Sequence, residues 1–234
     1  PRYLSSAASD VYKRQLWNDG PTARFTKSME RWINAMYSDD PSDTDVITAG
    51  QSVSRIIAKE DGVLSGRPVL DYLIENYCNG ATTEWNFTEG QGFEKGQEIA
   101  SIVAKSDEIL KIERICMNLI TRLSGIASTT SKWSEQLGGV FLAATRKTNW
   151  GVLDKWAVHI GGGLTHRLDR SDGLMIKEND FSMSKLTLEE ILSTFRTATD
   201  FPVIEVVSSD QALSVANSWI CLLYTSPSPR DQLT

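Results

Sequence analysis

Arg146, Lys147, His166, Arg167 and Lys177 lie close together in the stretch from Thr145 to Asp180, each at the end of a short apolar or glycine-rich run. Such a set suits an anion. Guanidinium forks grip carboxylates in pairs, ammonium groups meet phosphate as point charges, and histidine can donate or titrate. The expected ligand carries several negative charges. The plain alternative is a solvated face of mixed charge, since Asp154, Asp169, Asp172, Glu178 and Asp180 share the window. Glu205 stands apart, inside the apolar run VIEVV, where an ionised carboxylate needs a metal, a cation or a shell of donors. None of the serines or cysteines sits beside a histidine in a nucleophile setting, which argues against hydrolase chemistry.

The elements that must position these groups follow from apolar spacing. Val140 to Ala144 and Leu174 to Ile176 are compact apolar runs with polar tips, expected to be buried parallel strands. Between them Val152, Leu153, Trp156, Ala157 and Ile160 recur at helical spacing, and Gly161, Gly162 and Gly163 supply a stop. Strand, helix, strand places the cations at the carboxyl ends of parallel strands, where α/β folds collect reactive groups. Farther on, 186–199 is expected to be helix, 203–207 strand and 210–217 helix, so the second part of the chain is an alternating α/β region.

The first part has another pattern. Phe25, Met29, Trp32, Ile33 and Met36 mark one face of a helix, and Val69, Leu70, Leu73, Ile74 and Tyr77 mark a second. Extended segments at 46–58, around Trp85 and Phe87, and at 99–103 point to antiparallel strands. From Asp107 to about Leu137 runs a linking helix, which Gly125 is expected to break or bend. The GQGFEKGQ turn lacks a Gly-Lys-Ser/Thr ending and leads into no helix, so it is not a phosphate loop. The fold class is therefore α/β, with an N-terminal α+β sandwich-like domain at 16–112 and a parallel α/β domain at 113–220.

Four segments together, TRKT, GGGLTHRL, MIKEND and the upstream ERICMNLITRLSGIAS, resemble quinolinate phosphoribosyltransferase, also called nicotinate-nucleotide pyrophosphorylase (carboxylating). The resemblance is ordered and spaced, and covers roughly residues 25–216. It implies a parallel α/β barrel, here incomplete, and transfer of phosphoribose from phosphoribosyl pyrophosphate to quinolinate with decarboxylation, giving nicotinate mononucleotide for NAD biosynthesis. Substrate-binding roles fall on Arg114, Thr145, Arg146, Lys147, His166, Arg167 and Lys177. Lys147 and Glu205 take catalytic roles, with Glu205 also helping to place Mg2+. Arg114 matches an arginine lent across a homodimer interface, and larger assemblies with shared sites are compatible with it. His159 is read as structural. Two departures stand out: Asn149-Trp150-Gly151 occurs where a proline-glycine pair is common, and Asp180 where the family often has histidine. A homologue associated with molybdate transport shares much of the TRK pattern, and a non-catalytic anion-binding module is an alternative from another class.

Composition bounds the partners. The 234 residues carry a net charge of -6 without a basic run, which argues against a nucleic-acid groove or an anionic membrane surface. Cys78, Cys116 and Cys221 are widely spaced and unpaired in sequence, so neither zinc nor a disulfide framework is indicated and a cytoplasmic setting is expected. No apolar run approaches a membrane span. The ends, 1–15 and 221–234, resemble translated sequencing adaptors and are expected to be non-native. With about eight strands needed to close a barrel and its phosphate site on the last loops, the chain by itself is expected to be inactive.

Overall fold

The structure, a computed structural model, describes residues 15–40, 50–138, 140–169, 175–187, 190–191, 203–216 and 222–223. They fall into two compact units, 1–166 and 167–234.

In the first unit, helix α1 (Ala23–Asp39) opens at Thr22, whose hydroxyl accepts the Phe25 N–H at 3.4 Å, and buries Phe25, Met29 and Ile33 as their spacing predicts. Strand β1 (Gln51–Ile57), the short β2 (Gly62–Val63), helix α2 (Arg67–Tyr77), β3 (Thr82–Trp85), β4 (Gly92–Phe93) and β5 (Glu98–Lys105) follow. β5 is central in a three-stranded sheet ordered β1-β5-β3, antiparallel on both sides, and β2 pairs antiparallel with β4. Ile99, Ala100, Ile102 and Ala104 of β5 are buried. Helix α3 (Ser106–Gln136) then runs unbroken for 31 residues across the expected domain boundary at 112/113.

The expected break at Gly125 does not occur. A Cβ there would meet nothing within 4 Å, so this glycine sits on an open face, and the helical stripe Ile112, Ile115, Leu119, Ile120 and Leu123 is buried without interruption. Packing of that stripe outweighs the roughly 1 kcal/mol that one glycine costs a helix. The small residues around it have a separate use. Ser124 Oγ accepts the Ser65 N–H and donates to the Ser65 carbonyl, both at 3.1 Å, while Ser128 Oγ accepts the Val63 N–H at 2.8 Å. Hydroxyls on α3 thereby satisfy the backbone that leads from β2 into α2.

Glu89 performs the matching task at the amino end of α2. Its carboxylate accepts the N–H groups of Gly66 and Arg67, each at 2.9 Å, and the Ser65 hydroxyl at 3.2 Å. It supplies the acceptor that Gly66, the residue before the helix, cannot provide from a side chain. Burial pushes its carboxyl above the ordinary range, and the donors pull the other way.

The second unit contains β6 (Met175–Ile176), the short helix α5 (Glu178–Ser184), β7 (Val203–Glu205), helix α6 (Ser209–Ala216) and β8 (Leu222–Leu223). The three strands pair in parallel in the order β6-β7-β8. Ile176, Ile191, Ile204, Val206 and Val215 form its core, with Ala212 packed against them. Parallel pairing here agrees with the sequence pattern. The strand over 203–207 is shorter than expected, and 209–216 is helical. Of the helix expected over 186–199, Leu186 and Thr187 are not helical, Glu190 and Ile191 are, and 188–189 and 192–199 lie outside the described residues, as do both terminal segments except Gln15 and Leu222–Leu223. Among the described residues no helix is long and apolar enough to cross a membrane.

Cys78 and Cys116 are free and buried. Burial raises the Cys78 thiol to about 11 and Cys116 to about 12, with Glu108 adding to the first and Cys78 to the second. Thiolate is the reactive form, so both stay protonated and inert at neutral pH. In a Cys221→Ser chain, neither is expected to react with an aromatic disulfide reagent at about pH 8 until denaturant is added. Prompt labelling of the native protein would contradict the placement of these thiols in the core.

Candidate functional site

The backbone of the candidate site is built around helix α4 (Val152–Ile160). After α3 the chain turns, the Val140 N–H donating to the Leu137 carbonyl, and runs out toward Thr145. A single parallel bridge joins Ala143 to Leu164. Its bonds are Leu164 N–H to Leu142 O and Ala144 N–H to Leu164 O, both 2.8 Å. The segment ending in Thr145 and Arg146 therefore lies beside the segment ending in Thr165 and His166.

The buried strand expected over 140–144 is corrected by this arrangement. Val140 and Phe141 are 67% and 53% exposed, and pairing begins only at Leu142. Apolar composition identified the run, but the turn after α3 uses its first residue and the described pairing lies on one side only. Strand, helix, strand survives as connectivity, with Leu164 as the described partner of 142–144.

Gly161 to Gly163 do more than stop the helix. A Cβ at Gly161 would lie 2.3 Å from the Ala127 carbonyl, and one at Gly163 would lie 2.7 Å from Val158 Cγ1 and 3.0 Å from Thr130 Cγ2. The glycine turn can thus press directly on α3 at the end of the LSGIAS segment, and no side chain fits between them.

Sequence reasoning passed over the two groups that organise this region, Asp154 and Lys155, both almost fully buried. Asp154 accepts two bonds of 2.8 Å from the Arg122 guanidinium on α3, the Asn149 N–H at 2.9 Å and the Trp150 N–H at 3.0 Å. The Arg122 guanidinium also lies 4.7 Å from the Trp150 ring centroid. A proline at 149 or 150 would lack the N–H that Asp154 accepts, so Asn149-Trp150 is held by bonds that the family's more usual proline-glycine could not supply in full. Lys155 bonds three backbone carbonyls: Ala144 at 3.3 Å, Thr165 at 2.5 Å and His166 at 2.8 Å. A signal for both residues was present: VLDKWAV is apolar on either side of the charges, which leaves no polar face for them to occupy.

Trp156 completes the anchoring of α4. Its Nε1–H donates to Glu89 at 2.8 Å, and its ring stacks on Trp17 and packs against Phe25 and His159. His159 is thus part of an aromatic cluster.

Thr145, Arg146 and Lys147 are exposed, and the Lys147 N–H donates to Thr145 Oγ1 at 3.1 Å. His166, half-buried, has a backbone φ of 24°, in the left-handed region where a residue with a Cβ is uncommon. Arg114 is exposed on α3, its guanidinium 3.0 Å from the Asp40 carboxylate at the end of α1. Leu110 and Met117, on the same face of α3, are 50% and 42% exposed.

Within the second unit, Arg167 is buried. Lys177 Nζ donates to Glu205 Oε2 at 2.7 Å, so the tips of the adjacent parallel strands β6 and β7 carry a cation and an anion in direct contact. Asp180 accepts the Lys177 N–H at 2.8 Å and caps α5. Among the described residues no group of three His, Cys, Asp or Glu could hold a metal by itself.

Asp154→Ala is expected to cost about 3–5 kcal/mol, because it leaves the Arg122 charge uncompensated and strips two backbone donors of their acceptor. The shift in urea midpoint measures this. A loss below about 1 kcal/mol would show that the network does not hold α4 to α3.

Comparison with known proteins bears on the assignment. The family model described as quinolinate phosphoribosyl transferase, N-terminal domain, matches residues 42–124, and the C-terminal domain model matches 126–220. Quinolinate phosphoribosyltransferase [decarboxylating] 1 of Nicotiana glauca is 31% identical over 171 residues, 69% of this chain and 49% of that protein. The probable nicotinate-nucleotide pyrophosphorylase [carboxylating] of Archaeoglobus fulgidus is 35% identical over 167 residues, 69% of this chain and 64% of that one. The crystal structure of NadC from Streptococcus pyogenes superposes with a TM-score of 0.73 at 28% identity, covering 87% of this chain and 78% of its own. This chain spans about half the length of several of the curated relatives it matches. Two domain models matched in order, with the fold shared by the NadC structures, carry one conclusion: the chain belongs to the quinolinate phosphoribosyltransferase family.

Proposed function

We propose that this chain supplies part of a site that transfers phosphoribose from phosphoribosyl pyrophosphate to the ring nitrogen of quinolinate, with loss of the 2-carboxylate, to give nicotinate mononucleotide. The observation that supports this best is the pairing of 142–144 with Leu164, which sets Thr145 and Arg146 beside Thr165 and His166. The family pattern gives the quinolinate carboxylates to Arg146, His166, Arg167, Lys177 and Arg114 of the partner subunit. It gives the pyrophosphate to Lys147 and the metal position to Glu205. Charge placement carries the reaction in this reading: guanidinium and ammonium groups bind the dicarboxylate, orient its nitrogen and stabilise charge as pyrophosphate leaves and carboxylate is lost. No covalent nucleophile is involved.

Magnesium is the proposed cofactor and the chain is proposed to act as a homodimer or a larger assembly in the cytoplasm. Glu205 is a hard oxygen donor at a strand tip, and magnesium commonly takes one or two carboxylates together with substrate phosphates. Its Oε2 is engaged by Lys177, so metal binding there competes with an ion pair. When bound, the ion would neutralise the departing pyrophosphate. Leu110 and Met117, which flank Arg114 on the exposed face of α3, are suited to lie under a second subunit.

Arg146→Ala is expected to weaken quinolinate binding by about tenfold to a hundredfold, the loss of one charge-assisted contact worth about 1.5–3 kcal/mol, while the denaturation midpoint hardly moves because the side chain is exposed. Calorimetric titration with quinolinate decides it: equal affinity in the variant removes Arg146 from the dicarboxylate site. In a protein of the relatives' full length, Glu205→Gln should reduce magnesium-dependent binding of phosphoribosyl pyrophosphate more than it reduces quinolinate binding. The same magnesium dependence in both proteins would make Glu205 a partner of Lys177 and nothing more.

A further inference from the structure

We propose that Lys155 is a positioning residue, whose buried amino group fixes the backbone carrying Thr145 and Arg146 against the backbone carrying His166. The inference rests on the reading above for what those side chains bind, but its structural content stands separately. Lys155 is 2% exposed, and its Nζ reaches the carbonyls of Ala144, Thr165 and His166. An ammonium has three N–H donors and no acceptor, so three carbonyls match it in number and kind.

The place where Lys155 acts gives these bonds their meaning. In the parallel pairing of 142–144 with Leu164, the next acceptor along the ladder is the Ala144 carbonyl. Lys155 takes that carbonyl and, across from it, those of Thr165 and His166. A side chain therefore continues the join where the described strand pairing stops, one residue before Thr145. The backbone on the far side is not in a relaxed state: His166 has φ of 24°, and the buried Thr165 Oγ1 finds no hydrogen-bond partner among the described residues. Such a conformation persists only where its surroundings over-determine it, and two of the three Lys155 bonds are made to these two residues. Helix α4 in turn is fixed by Asp154 and Trp156 on either side of Lys155, so the amino group arrives from an anchored position.

The test uses magnetic resonance on the 234-residue chain, which has only two histidines, His159 and His166. His159→Gln assigns the two imidazoles. In the unaltered protein the Lys155 ammonium is expected to give an amine correlation protected from exchange with water, and its absence would overturn the proposal whether or not any variant folds. In Lys155→Met, with circular dichroism unchanged, the His166 imidazole and the amides of 145–146 and 165–166 should shift or broaden while His159 stays in place. Quinolinate should bind at least about tenfold more weakly. A folded Lys155→Met chain with unmoved His166 signals overturns the proposal. If quinolinate leaves His166 of the unaltered protein undisturbed, but Lys155→Met displaces it, the dicarboxylate reading fails and the positioning role stands.

Discussion

Two consecutive residues of opposite charge, Asp154 and Lys155, are buried in a helix of only nine residues, and the organisation of the first unit around the candidate site depends on how each is satisfied. Neighbours on a helix point about 100° apart, so the two charges cannot serve the same surroundings. Asp154 turns to α3 and the 149–150 turn, Lys155 to the carbonyls that precede Thr145 and flank His166, and Trp156 to Glu89. A helix this short is marginal alone. Three successive side chains bind it to α3, to the site backbone and, through Glu89, to the amino end of α2. An unpaired buried charge is costly enough that each of these attachments is obligatory once the helix forms.

The glycine turn and the LSGIAS segment belong to the same construction. Gly161 can approach the Ala127 carbonyl because neither partner has a side chain in the way, and Ser124 and Ser128 on α3 satisfy the backbone between β2 and α2. The motifs that carry the family resemblance therefore include residues whose role is packing. Gly161, Gly163, Ser124 and Ser128 would be essential to the fold even where they touch no ligand.

Apolar periodicity made the helices legible: Phe25, Met29 and Ile33, then Val69, Leu70, Leu73 and Ile74, then Leu153, Trp156 and Ala157 are buried as their spacing requires. Parallel pairing after Leu174 was legible from short apolar runs alternating with helix. Gly125 misled because intrinsic propensity is small beside the burial of a long apolar stripe. Val140 and Phe141 misled because composition alone does not say where a turn ends and pairing begins. Asp154 fell in a window of mixed charge and Lys155 went unremarked, since the sequence does not reveal that three carbonyls and a guanidinium lie within reach. The exposed candidates, Arg114, Arg146 and Lys147, were legible as cations, but their roles come from resemblance alone.

Burial separates the charges by what they are able to do. Lys155 and Asp154 cannot leave their partners without exposing uncompensated charge to the interior, so they suit holding and not exchange. Lys177 and Glu205, whose side chains are 37% and 29% exposed, form a short ion pair that water and salt can partly replace. A partly solvated pair of this kind keeps an ammonium and a carboxylate at the tips of adjacent strands, yet costs little to open when an anion arrives for the one or a cation for the other. Buried charge in helix α4 therefore marks the frame, and half-exposed charge at the tips of β6 and β7 marks the groups with freedom to change partners.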